Sequence, residues 1–137
     1  MDAARQWLGQ PRQVSEISGR IAHAGFEQPG LGHRSVAGQL GKAIELTGAD
    51  AYQIKKGKFR RYEPFTISLW MNTPDVKERA VIFHHTSGWT DAGSRGYQLL
   101  IENGKLSWSL IHFWPGNAVR IATTTPIPVK QWIHVAV

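Results

Sequence analysis

From Lys42 onward, short runs recur in which every second residue is apolar, separated by Gly, Pro, Asn and Asp. This is the pattern of half-buried β-strands joined by turns. It predicts strands near residues 43–47, 51–55, 65–72, 80–86, 96–102, 105–113, 118–124 and 131–137. Residues 1–41 read differently. They hold seven of the 14 glycines, and their apolar runs are short. Ala3–Leu8 suits a short helix, and Val14–Ala22 suits either an amphipathic helix or a strand. The chain therefore divides into a Gly-rich N-terminal segment over 1–40, partly irregular or short helix, and a β-domain over 41–137.

The clearest local signal is YQLLIENGKLSWSL, residues 97–110. Asn103-Gly104 between two alternating runs calls for a two-residue type I′ turn, because both residues tolerate positive φ. That turn sets the register: Glu102 faces Lys105, Ile101 faces Leu106, Leu99 faces Trp108 and Tyr97 faces Leu110. The apolar residues Tyr97, Leu99, Ile101, Leu106, Trp108 and Leu110 share one face. Gln98, Leu100, Glu102, Lys105, Ser107 and Ser109 share the other, so the hairpin is expected to be half-buried, with its polar face to solvent. A slip of one residue would turn the whole apolar set to water.

FTISLWMN follows the same logic, with Phe65, Ile67, Leu69 and Met71 opposite Thr66, Ser68, Trp70 and Asn72. So does QWIHVAV, with Ile133, Val135 and Val137 opposite Trp132, His134 and Ala136. Antiparallel strands that each carry one apolar face bury those faces against one another, which predicts an all-β sandwich of two antiparallel sheets.

Composition narrows the class. The chain has 137 residues, the size of one domain, with 42% hydrophobic and 19% charged residues, as in a globular protein. No apolar run approaches the ~20 residues of a membrane-spanning helix. Without cysteine there is no disulfide framework, thiolate nucleophile or cysteine-bound zinc. The net charge is +6, but Lys55, Lys56, Lys58, Arg60 and Arg61 fall in one run of seven residues, and without these five the balance drops to +1. The basic character belongs to one segment rather than to the whole surface.

GKAIELTGADAYQI, PFTISLWMNT, GYQLLIENGKLSWSL and QWIHVAV together resemble, in order and spacing, the laminin-G-like domains of the concanavalin A-like lectin/glucanase superfamily, from Gly41 to Val137. The resemblance implies a jelly-roll sandwich with one flat and one curved sheet. It implies a domain that binds glycans, proteins or lipids outside the cytoplasm, often with calcium. Such domains continue past the QWIHVAV-like strand, so the sandwich is expected to be incomplete at its C-terminal end and to belong to a larger extracellular, periplasmic or cell-envelope protein. Unpaired edges and bare apolar faces would then drive the isolated chain to associate through its edges or to form a homodimer.

Some members of that superfamily are glucanases. Their Glu-x-Asp-x-x-Glu pattern is absent here, and no two acids are separated by a single residue. Retaining hydrolysis needs two carboxylates ~5–5.5 Å apart. The nearest acids are Asp75 with Glu78 and Glu45 with Asp50, both beside loops, so the chain reads as non-catalytic. His84 and His85 are adjacent on a strand and point to opposite faces, which does not suit a shared metal ion. For calcium, relatives often carry adjacent acids near the turn Thr47–Tyr52, where this chain has only Asp50. Asp91, in the oxygen-rich loop Thr86–Ser94, is the other candidate, and turn hydrogen bonds are the alternative for both. No other cofactor is implied.

Sugars present C–H faces that stack on exposed rings, while their hydroxyls need placed polar partners. Trp89, with Asp91 in the same loop, Trp114 in HFWPGN, and Trp70 among Thr66, Ser68 and Asn72 are the candidate ligand contacts. Burial in the sandwich is the alternative for Trp70 and Trp132. Lys55, Lys56, Lys58, Arg60 and Arg61, interleaved with Phe59 and Tyr62, are candidate polyanion contacts, or a solvated loop; sequence-specific nucleic-acid recognition is not expected. The expected function is a non-catalytic recognition module for a carbohydrate, a protein or another extracellular polymer. The alternative is a structural domain that docks within a larger protein.

Overall fold

A computed structural model describes residues 18–28, 30, 32–60, 62–88 and 94–137. Among these residues there are eight strands and no helix: β1 (Arg34–Ala37), β2 (Lys42–Glu45), β3 (Ser68–Met71), β4 (Arg79–Thr86), β5 (Gly96–Glu102), β6 (Lys105–Phe113), β7 (Asn117–Ala122) and β8 (Ile133–Ala136). All pairings are antiparallel. β1 pairs β2, β3 pairs β8, and β4-β5-β6-β7 form a four-stranded meander.

The β5–β6 hairpin has the register its turn dictates. Leu99 faces Trp108, Ile101 faces Leu106 and Glu102 faces Lys105. Asn103 and Gly104 both take positive φ, 50° and 75°, as the type I′ geometry requires. The turn is also stitched to the chain entering β4. The Asn103 N–H donates to the Glu78 carbonyl at 2.7 Å, and the Gly104 N–H donates to that of Lys77 at 2.8 Å.

The register gives the meander two faces. The inner face carries Phe83, Tyr97, Leu99, Ile101, Leu106 and Trp108; the outer face carries Val81, His84, Gln98, Leu100, Ser107, Ser109 and Arg120. β3 and β8 pack on the inner face. The Phe65 ring lies 5.3 Å from Tyr97 and 6.4 Å from Trp108, and Phe83 lies 6.0 Å from Trp108. Leu69 opposes Val135 and Met71 opposes Ile133 on the side that faces this cluster, whereas Trp70 and His134 oppose each other on the side that faces away. Reciprocal bonds between Ile67 and Val137, 2.9 and 3.0 Å, extend the pair by one residue. The expected two-layer β-sandwich is present.

Four local expectations need correction. The hairpin is not half-buried: Gln98 and Leu100 on its outer face are each 1% exposed, and Ser107 and Ser109 are as well buried. β5 and β6 are the two central strands of the meander, and Arg79, Glu102 and Arg120 reach across that face to one another. Conversely, Leu110, assigned to the apolar face, is exposed along with Val119 and Ile121. Two strands cannot cover a four-stranded sheet, and the inner face is left bare at Leu110, Val119 and Ile121, beside the β7 edge.

The strand expected over 51–55 does not form. Tyr52 and Ile54 are exposed, and the segment has no ladder partner among the described residues. β1 takes its place in the pairing scheme, across a turn closed by the Gly38 N–H to the Gly41 carbonyl at 2.9 Å. Of the N-terminal expectations, Ala3–Leu8 and residues 14–17 lie outside the described residues. Residues 18–22 are turn and irregular chain, neither helix nor strand.

Candidate ligand-binding surfaces

The outer face of the meander ends in an aromatic turn. β6 leaves the sheet through Phe113, Trp114, Pro115 and Gly116 and returns as β7, with a cis bond between Trp114 and Pro115. Register places Arg120 opposite Ser109, in a cross-strand row that continues to Gln98 and His84. From there the guanidinium turns back over the indole of Trp114, with Cζ 4.8 Å from the ring centroid. Its Nε–H donates to Ser109 Oγ at 3.3 Å, and Nη1 lies 3.8 Å from Glu102 Oε2. Glu102 also accepts from Arg79 Nη1 at 3.4 Å and faces Lys105 across the turn. Trp114 is therefore not a core residue. It is 47% exposed and held on one side by a cation, which fixes the ring while leaving much of it to solvent. Beneath this surface, Gln98 Oε1 and Ser107 Oγ are buried and find no hydrogen-bond partner among the described residues.

Trp70 is the second ring at the surface, 41% exposed and tilted against His134 with ring centroids 5.2 Å apart. It is not buried in the sandwich. Since Phe65, which alternation places on the other side from Trp70, points into the inner layer, Trp70 faces outward and lies on the opposite outer surface from Trp114. The structure does not bring these two candidates together. Trp89 and Asp91, the other two candidate ligand contacts, and Arg61 of the basic run lie outside the described residues. Trp108 belongs to the core cluster, as its register required.

The basic segment is pinned by its own aromatic. Phe59 stacks on Phe65 at 4.1 Å and an interplanar angle of 8°, and the Tyr97 hydroxyl donates to the Gly57 carbonyl at 2.8 Å. Gly57 and Phe59 thus turn inward, and Lys56, Lys58 and Arg60 alternate outward, with Lys55 also exposed. Phe59 is thereby unavailable as a stacking platform. Tyr62 remains exposed, and its hydroxyl accepts from Arg60 Nη1 at 2.7 Å. Burial pushes the Tyr97 phenol above its ordinary value.

Asp50 is engaged as a turn residue. Its Oδ1 accepts from the Thr47 N–H at 2.7 Å and the Thr47 hydroxyl at 2.9 Å. These bonds, the backbone one foremost, hold its carboxyl below the usual value. Oδ2 lies 3.8 Å from His33 Nδ1. A hard cation takes six to eight oxygens. No group of three or more His, Cys, Asp or Glu side chains that could hold a metal ion occurs among the described residues. The remaining acids are similarly dispersed. Glu45 pairs with Arg34 at 2.9 Å and Asp75 with Lys77 at 2.6 Å.

Arg120 is the residue that sequence reading passed over. The signal was present: NAVRIA is an alternating run with one charge, six residues past Trp114. Carried across a two-residue Pro-Gly turn, the hairpin register sets that charge on the face of Ser109 but opposite Ile111, and the longer turn and the bulge between Ile111 and Phe113 move it to Ser109.

This geometry is that of an antiparallel sandwich with an aromatic, charge-lined outer surface and no clustered carboxylates among the described residues. A family profile described as the concanavalin A-like lectin/glucanases superfamily, laminin-G type, matches residues 46–137. The chain belongs to that family. No curated protein and no solved structure matches the chain. Domains of this family are often ligand-binding, typically non-catalytic and commonly extracellular. No helix among the described residues is long and apolar enough to cross a membrane.

Proposed function

We propose that the protein is a non-catalytic recognition module that binds a glycan or another extracellular polymer through rings on its outer surfaces, without a cofactor. It would work in an extracellular or periplasmic setting as part of a larger protein. The observation that carries this reading is Trp114, a large ring outside the core whose orientation is set by Arg120. A pre-oriented ring stacks on a sugar with little further loss of side-chain freedom. Trp70 beside His134 supplies a separate contact surface, and Lys55, Lys56, Lys58 and Arg60 a secondary one for anionic polymers. Trp89, Asp91 and Arg61 stand in the proposal on sequence grounds. The test is binding to an array of polysaccharides by the full chain and by its Trp114→Ala and Trp70→Ala variants. Loss of a measured affinity in Trp114→Ala, with the fold unchanged by circular dichroism, supports the reading. Absence of binding to every glycan, or affinity indifferent to both substitutions, removes it.

A second reading is favoured by a different observation, the bare row of Leu110, Val119 and Ile121 on the inner face beside the edge strand β7. Contiguous exposed apolar surface marks an interaction site. In this reading the chain is a structural domain that docks on a neighbour, or on a second copy as a homodimer, and takes no diffusible ligand.

A further inference from the structure

We infer that Asn103 is a deamidation site gated by the clasp that holds the β5–β6 turn closed, so that isoaspartate forms there only when the turn comes away from Lys77 and Glu78. The chain has three asparagines, and only Asn103 precedes a glycine, the neighbour that crowds the attacking nitrogen least. In the reaction the Gly104 nitrogen loses its proton and bonds to Cγ of Asn103. The side-chain amide leaves as ammonia, and a five-membered succinimide remains. Water then opens the ring at either carbonyl. One product is Asp, and the other is isoaspartate, in which the main chain runs through Cγ. In both cases one water enters and one ammonia leaves.

The folded turn offers the electrophile and withholds the nucleophile. Asn103 is exposed, and its side chain makes no hydrogen bond among the described residues. Gly104, by contrast, is buried, and its N–H is donated to the Lys77 carbonyl at 2.8 Å. Its carbonyl accepts from the Ile127 N–H at 2.8 Å, and the Asn103 N–H is donated to the Glu78 carbonyl at 2.7 Å. A Cβ built on Gly104 would lie 3.1 Å from Val76 Cγ1 and 3.5 Å from Pro126 Cβ, so the turn sits between two chain segments. Ring closure needs the Gly104 nitrogen and Asn103 Cγ on the same side of the Asn103 Cα–C bond. The type I′ turn, with φ of 50° and 75°, holds them nearly opposite. Turning that peptide undoes the bonds to Lys77 and Ile127 together. The closed form is unreactive, and the rate follows the population of the locally opened one.

The two products then part. Asp-Gly suits a type I′ turn as Asn-Gly does, so the Asp form recloses. Isoaspartate adds a methylene to the main chain and breaks the two-residue spacing that sets Glu102 opposite Lys105 and Leu99 opposite Trp108. An opening that ends in isoaspartate therefore leaves a permanent mark on the central hairpin.

The experiment incubates the full chain in heavy-oxygen water and reads Asn103 by peptide-mapping mass spectrometry, with electron-transfer fragmentation to separate isoaspartate from Asp. Hydrogen exchange of the Gly104 amide, followed by NMR, measures the opening independently. Deamidation of the folded chain is expected to run roughly ten- to a hundredfold slower than in the same chain unfolded in urea, the scale set by losing these backbone hydrogen bonds. Gly104 exchange is expected to be slowed in proportion. Ile127→Pro, which deletes the donor to the Gly104 carbonyl, should raise both rates severalfold. Low urea, below the unfolding transition, should do the same and serves where that variant does not fold. The isoaspartate fraction should melt below the Asp fraction. Equal deamidation rates in the folded and unfolded chain overturn the inference, as does Gly104 exchange that speeds up without deamidation following it. An isoaspartate form that melts with the native chain overturns the permanence of the mark.

Discussion

Leu99 and Tyr97 show how much single side chains carry. Leu99 is 1% exposed at the centre of the inner face, opposite Trp108. Leu99→Ala is expected to cost about 2–5 kcal/mol, the lost transfer energy plus a cavity between two layers that cannot close on it; urea unfolding measures it. Tyr97 packs against Phe65 and Phe83 and donates its hydroxyl to Gly57. Tyr97→Phe keeps the ring and removes the pin, for an expected loss of about 1 kcal/mol. The phenol of the native residue should ionise above the ordinary value of 10.0. Because the folded form holds the proton more tightly, this contribution to stability is intact below pH ~10 and is lost as pH rises through the folded-state value. Ultraviolet tyrosinate titration checks the direction.

Asp50 works in the opposite sense. Its carboxyl is held below 3.8 by Thr47, so its contribution is present above that value and is lost as pH falls through the lower folded one. Carbon-detected NMR of the carboxyl should show the depressed midpoint, and Thr47→Ala should raise it toward normal. The pairing of Leu99 with Trp108 was legible because an Asn-Gly turn leaves one register. The burial of Gln98 and Leu100 was not, because alternation shows which residues share a face and not how many layers lie over it.

At the scale of elements, the β5–β6 hairpin is specified twice, by the dihedrals of its turn and by the two backbone bonds that the turn makes to Lys77 and Glu78. Gly104→Ala should cost roughly 1–2 kcal/mol from its positive φ alone, with a further penalty where the new methyl meets Val76 Cγ1 at 3.1 Å. Gly96 is less tolerant still. Its φ is 141°, and a Cβ there would run into the carbonyl of His85. Gly96→Ala is expected to lower the thermal midpoint more than Gly104→Ala does, and a smaller drop would show that β4 yields to the new side chain. The strand wrongly expected over 51–55 and the unforeseen β1 have one cause. Tyr52 and Ile54 have the composition of a strand, but a strand needs a neighbour. The chain instead turns at Gly38–Gly41 and gives β2 its partner from the Gly-rich side. Composition describes the residue, and pairing belongs to the turn before it.

At the scale of the molecule, two strands cover part of a four-stranded sheet. The covered part holds the aromatic cluster, and the uncovered part presents Leu110, Val119 and Ile121, the last 63% exposed. Under the docking reading, Ile121→Glu should abolish concentration-dependent association in sedimentation at micromolar protein and leave the melting temperature nearly unchanged, since little of this side chain is buried. A wild-type chain that sediments as a clean monomer throughout would remove that reading. The layer arrangement was legible from the strand faces. The bare part was not assignable to particular residues, because which strands stack over which is a matter of topology and not of alternation.

Trp70 and Trp114 point away from each other through the full thickness of two layers packed ~10 Å apart. A small saccharide that settles on one indole cannot shield the other from a collisional quencher such as acrylamide. Saturating oligosaccharide should therefore protect only one of these two emitters, and the tryptophan that stays quenchable tells which side of the slab the sugar has chosen.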